Sequence, residues 1–105
     1  MSGVKTFSNE TSERYALALF ELAKENSELD NIEKQVSLLL KTCEKNDIFA
    51  NFLKDPTNQP KVQKQVFTEI SKIMSFNKIL INFLNLIIEK RRIYFLDRIL
   101  DKFIN

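Results

Sequence analysis

The sequence predicts an all-α protein, a compact bundle of about six helices. Three observations carry this. Only one Gly and two Pro occur in 105 residues, too few for the turns of a β sandwich or barrel. Apolar residues recur at three- and four-residue steps along most of the chain. No stretch shows the strict alternation of a half-buried strand.

The first helix is expected to begin among the capping residues Asn9 to Ser12 and to run to about Glu25. Asn26-Ser27 should stop it and cap the next. The second helix is regular, with Leu29, Ile32, Val36, Leu39, Leu40 and Cys43 on one stripe and Glu33, Lys34, Lys41, Glu44 and Lys45 off it. Asn46-Asp47 breaks and recaps the chain. Ile48, Phe49, Phe52 and Leu53 then give a short third helix with one apolar edge. Lys54 to Gln59 is a loop, because Asp55 precedes Pro56 and is steered away from helix. Pro60 suits the first turn of the fourth helix, whose apolar side carries Val62, Val66, Phe67, Ile70, Ile73 and Met74. Ser75 to Asn77 separates it from the fifth. Lys90-Arg91-Arg92 suits the negative end of that helix dipole. The sixth helix shows Phe95, Leu96, Ile99, Leu100, Phe103 and Ile104. Its pattern meets no stop signal before Asn105, which leads us to expect a fragment of a longer protein.

Composition removes several functions. There is no histidine, the commonest general base and transition-metal ligand. A lone Gly3 makes no phosphate-cradling loop. Glu89 and Asp97 have nothing that fixes them as an acid pair. We expect no catalytic residue, metal or cofactor. The net charge of +2 gives no electrostatic case for nucleic acid or membrane binding. Cys43, the single cysteine, lies in the apolar register and reads as a small buried hydrophobe, not a reactive thiol. Met1 to Asn9 has neither the apolar region of a signal peptide nor the character of an organelle presequence. The apolar run Ile79 to Ile88 is far short of the ~20 residues that span a bilayer. These features suggest a soluble protein of a reducing compartment, with no direct membrane insertion.

Two segments carry more apolar surface than a one-sided helix needs. Tyr15 to Phe20 is followed by Leu22 and Ala23, and Ile79 to Ile81 by Phe83-Leu84 and Leu86 to Ile88. On helix one, Tyr15, Ala18 and Leu22 share a stripe with Leu19 beside them. Leu17 and Phe20 lie opposite, with Ala16 at their edge. On helix five, Ile79, Phe83 and Leu86 form one stripe, and Leu80, Leu84, Ile87 and Ile88 another. A groove between these helices would accept an amphipathic partner helix, and small Ala18 would let it come close. The alternative is that both helices are simply the centre of the bundle. Lys90, Arg91 and Arg92 offer a different class of function, a helical nucleic-acid-binding module. No aromatic interleaving supports it.

Arg14-Tyr15-Ala16-Leu17-Ala18-Leu19-Phe20-Glu21-Leu22-Ala23 resembles the opening signature of the delta subunit of F-type ATP synthase. The mitochondrial counterpart is the oligomycin-sensitivity-conferring protein. Phe52-Leu53-Lys54-Asp55-Pro56 with Lys64 downstream resembles a second segment of that family. Asn82-Phe83-Leu84-Asn85-Leu86-Ile87-Ile88-Glu89-Lys90-Arg91-Arg92, then Leu96, Ile99 and Phe103, resembles a third. All three fall in order over nearly the whole chain. Lys90 stands where many relatives have Asn, and Asp97 where many have Pro.

The resemblance implies residues 1–105 as the six-helix N-terminal domain, with a C-terminal domain that grips the b subunits absent. It implies a non-catalytic peripheral-stalk component on the cytoplasmic face of a bacterial inner membrane. Its partner would be the N-terminal helix of an α subunit, held by Tyr15, Ala18, Leu19, Leu22, Ile79, Asn82, Phe83 and Leu86.

Overall fold

The computed structural model describes residues 2–105, with side chains from Asn9 onward. Six α-helices follow one another: α1 (Ser2–Glu25), α2 (Leu29–Lys45), α3 (Asp47–Lys54), α4 (Pro60–Met74), α5 (Lys78–Glu89) and α6 (Leu96–Ile104). A 3-10 turn, Ile93–Phe95, leads into α6, so Phe95 belongs to that turn and not to the last helix. No strand occurs among the described residues. The Cα radius of gyration is 13.1 Å, as expected for one compact domain of this length.

Helix α1 begins upstream of the expected Asn9 to Ser12 start. Ser12 does not cap. It is fully buried on an inner edge with Ala16, Leu19 and Ala23, at steps of four, three and four. Three of these four side chains are small, so the α1 backbone can lie close to its neighbours. Helix α6 packs most extensively against α1 and α2, while α5 packs against α4. The side chains of Met1 to Ser8, and with them most of the Met1 to Asn9 segment, fall outside the described residues.

The core is built from one edge of each helix. Ile32, Val36 and Leu39 of α2 meet Leu96, Ile99 and Leu100 of α6 in its centre, all fully buried. Each such side chain contributes ~1.5–3 kcal/mol. Phe49 of α3 stacks edge-on against Phe67 of α4 at 5.7 Å between ring centroids. Phe76, in the α4–α5 connection, is buried as well.

Two apolar edges differ from expectation. Ile48 is 83% exposed, leaving Phe49 and Leu53 as the buried edge of α3. Ile73 is 81% exposed and Val62 41%, although both fit a three–four pattern. The reason is rotational. The inner edge of α4 is centred on Phe67 and flanked by buried Gln63 and Ser71, and Val62 and Ile73 lie roughly 120° or more round the helix.

Three helices end in the same way. Ser27, Ser75 and Arg91 take left-handed backbone conformations, with φ of 56°, 55° and 60°. In each case the next N–H reaches back to a carbonyl five residues earlier: Glu28 to Ala23, Phe76 to Ser71 and Arg92 to Ile87, at 2.8, 3.0 and 2.9 Å. This is the Schellman arrangement, which usually recruits glycine. Asn26-Ser27 thus terminates α1 but does not cap α2, whose N-cap is Glu28 without a side-chain hydrogen bond.

The other starts behave as expected. Asn46 Oδ1 accepts from the Phe49 N–H, and Asn77 Oδ1 from the Ile79 N–H. Asp55 is extended, and its carboxylate accepts from both the N–H and the hydroxyl of Thr57. Those bonds, the hydroxyl first, hold the Asp55 carboxyl below its ordinary range. Pro60 opens α4.

Candidate partner-binding groove

The inner edge of α1 divides its surface into two flanks. On one side lie Tyr15, Ala18 and Leu22, facing α5. On the other lie Leu17 and Phe20, toward α6. The stripes are about half a turn apart, so the apolar surplus of this helix is real surface on both sides of a buried seam. Leu22 is 42% exposed, Ala18 is exposed and Tyr15 is half-buried.

Helix α5 approaches the first flank. The Tyr15 and Phe83 rings meet edge to face, with centroids 6.4 Å apart. Phe83 is nearly buried and forms the floor between the helices. Beside it Ile79 is half-buried, Asn82 exposed and Leu86 42% exposed. Leu80, Leu84, Ile87 and Ile88 are buried. Helix α5 is therefore mostly core, with a narrow exposed stripe.

The structure corrects two wall residues. Phe83, at 5% exposure, is floor and not wall. Leu19 has no exposed surface. It lies on the inner edge with Ala16, so it supports the groove from behind and cannot touch a partner. Ala16 is buried too, which removes it from the opposite stripe. The surface available to a partner is Tyr15, Ala18 and Leu22 on one side and Ile79, Asn82 and Leu86 on the other. Thr11, half-buried, extends the first row by one turn. Its four-residue step from Tyr15 was the signal available in the sequence.

The remaining candidates do not assemble. Lys90 and Arg91 are exposed, but Arg92 is half-buried, with its Nε enclosed and unpaired. These three cations do not form one open basic face. Glu89 is paired with Lys64 at 2.9 Å and Asp97 with Lys54 at 3.1 Å, so they make no acid pair. Cys43 is buried. Burial, helped by the Asp97 carboxylate, pushes its thiol up to about 12, which keeps it protonated and unreactive. Among the described residues no three His, Cys, Asp or Glu side chains group as metal ligands, and no helix is long and apolar enough to cross a membrane.

The fold is an all-α helical bundle with exposed apolar side chains, Leu22 and Leu86 among them, on its adjoining helices α1 and α5. The chain matches the family model described as ATP synthase delta (OSCP) subunit over residues 11–105. It is 36% identical to the ATP synthase subunit delta of Pelagibacter ubique over 104 residues, which cover 99% of this chain and 56% of that protein. It is 37% identical to the subunit delta of Clostridium botulinum over 84 residues, covering 80% and 46%. The chain thus belongs to the ATP synthase delta (OSCP) subunit family, and it spans about half the length of these relatives. A cryo-EM structure of the Toxoplasma gondii mitochondrial ATP synthase hexamer contains a chain of similar fold. The TM-score is 0.83 at 24% identity, covering 88% of this chain and 51% of that one.

Proposed function

We propose that this domain is a stator clamp of an F-type ATP synthase. It binds the N-terminal helix of an α subunit in the groove between α1 and α5. In this reading residues 1–105 are the N-terminal domain, and a C-terminal domain of the complete subunit holds the b subunits. The clamp resists co-rotation of the catalytic head while the central stalk turns, so proton-driven rotation is coupled to ATP synthesis. It performs no chemistry, and it sits peripherally on the cytoplasmic face of a bacterial inner membrane as part of the complex.

One observation supports the groove above all. Exposed apolar side chains on two adjoining helices, Leu22 and Leu86 among them, flank a floor made by Phe83 against Tyr15. An amphipathic helix laid there would bury a few such anchors at ~1.5–3 kcal/mol each. Ala18 leaves room for its backbone, and Asn82 offers a polar contact at the rim.

The test is an NMR titration with a synthetic peptide of the cognate α subunit's N-terminal segment. Saturable shifts confined to α1 and α5 are expected. An unshifted spectrum at high peptide concentration, with the domain folded, would overturn the groove.

A further inference from the structure

The second flank of α1 carries its own pattern. Glu13, Leu17, Phe20 and Lys24 recur at steps of four, three and four, so they form one row. Leu17 is 58% exposed and Phe20 38%. Beside the row lies a cavity of about 530 Å³ between α1 and the end of α6, lined by Leu17, Phe20, Phe103 and Lys102 among others. The Phe20 and Phe103 rings stand 6.3 Å apart at its edge. The row is acidic at one end, apolar in the middle and basic at the other.

We propose that this flank is a self-association face, in which α1 packs antiparallel against α1 of a second copy of this chain. The charge pattern decides the occupant and the direction. With a twofold axis between Leu17 and Phe20, Leu17 meets Phe20 of the second copy. Glu13 meets Lys24 of the second copy, and each contact is made twice. A parallel pairing would set Glu13 on Glu13 and Lys24 on Lys24. Glu13 already touches Lys102 at 3.6 Å; the incoming Lys24 approaches its free side. Phe20 of the second copy is the side chain that reaches the cavity. This face lies across the buried seam from the α1–α5 groove, so it does not rest on the proposed α-subunit interaction. One helix pair makes a small interface, so the dimer is expected to be weak, with a dissociation constant in the roughly micromolar-to-millimolar range.

The experiment is sedimentation equilibrium of the 105-residue chain up to about 1 mM, at low and high salt. A monomer–dimer equilibrium that weakens with salt is expected. Leu17→Glu should be monomeric with unchanged helical circular dichroism. Glu13→Lys and Lys24→Glu should each weaken the dimer about tenfold, since two attractions become two repulsions. An equimolar mixture of these two single variants should associate more tightly than either alone, because both charge pairs are then complementary. A strictly monomeric wild type overturns the proposal, and so does a dimer indifferent to the charge reversals and their mixture.

Discussion

Lys54 Nζ lies 3.1 Å from the Asp97 carboxylate and donates to the Tyr94 carbonyl at 2.6 Å, so the end of α3 is pinned to the start of α6. The same ammonium stands 4.3 Å above the Tyr94 ring. Asp97 also accepts from the Arg98 N–H in the first turn of α6. Both charges are more than a third exposed, so solvent screening leaves the ion pair a modest share. Lys54→Ala is expected to lower stability by about 1 kcal/mol, most of it from the carbonyl bond and the ring contact. Asp97→Ala should cost less. Urea unfolding of both and of the double variant measures the coupling, and a coupling near zero would show that the ammonium acts through Tyr94 alone.

The two flanks and the inner edge of α1 should separate cleanly under mutation. Ala18→Asp places a charge on the α1–α5 groove, where the native side chain is exposed, and should abolish α-peptide binding with the circular dichroism intact. Leu22→Asp and Leu86→Asp should do the same. Leu19→Ala empties a fully buried site and should cost about 2–5 kcal/mol in stability instead. Peptide affinity by calorimetry, read beside the thermal midpoint, distinguishes the classes. Unchanged affinity for Ala18→Asp would sink the site assignment.

Helix number, order and the core stripe of α2 were legible because a three–four apolar period is imposed by the helix itself. Leu19 was misplaced for a physical reason. On a helix apolar on several sides, periodicity gives which residues share a row, but not which row faces inward. The small residues Ser12, Ala16 and Ala23 mark that inner row; by sequence Ser12 reads as a cap residue, and Ala16 and Ala23 as part of the apolar surplus. Ile48 and Ile73 were misread in the opposite sense, since exposed isoleucines cost a protein little and need no pattern. The clasp on Lys54 joins residues about forty positions apart, a relation that no local period encodes.

The three left-handed helix ends are a reservoir of stability. Ser27, Ser75 and Arg91 each carry a Cβ in a region where it crowds the backbone, at a cost of roughly 1 kcal/mol. Ser27 and Arg91 are exposed and their side chains enter none of the hydrogen bonds described above. Ser27→Gly and Arg91→Gly should therefore each raise stability by about 0.5–1 kcal/mol, despite the greater freedom glycine gives the unfolded chain. Ala at the same sites should give no such gain. Denaturant midpoints for the Gly and Ala pairs decide this; equal midpoints would mean that side-chain contacts, not backbone geometry, set these ends.

Cys43 gives the fold a specific weakness at alkaline pH. Its thiol is ordinarily half ionised at 9.0, and burial pushes it up to about 12 in the folded chain. Between those values the unfolded state releases the proton while the folded state keeps it. The stabilisation is thus complete below pH 9 and is lost progressively as pH rises toward 12, by about 1 kcal/mol per pH unit. Lysines also titrate in this range, so the comparison must be with Cys43→Ala. At about pH 8 that variant should be somewhat less stable than the wild type, because it leaves a small void. At about pH 10.5 the order should close or reverse, since only the wild type is drawn toward unfolding by thiolate formation. Urea unfolding of both proteins at the two pH values measures the gap. A gap that stays constant would mean that the folded protein ionises Cys43 as readily as the unfolded chain does, so that burial by α2 and α6 does not exclude the charge. Cys43→Ser should keep α-peptide binding at neutral pH, because the thiol lies in the core and away from the groove.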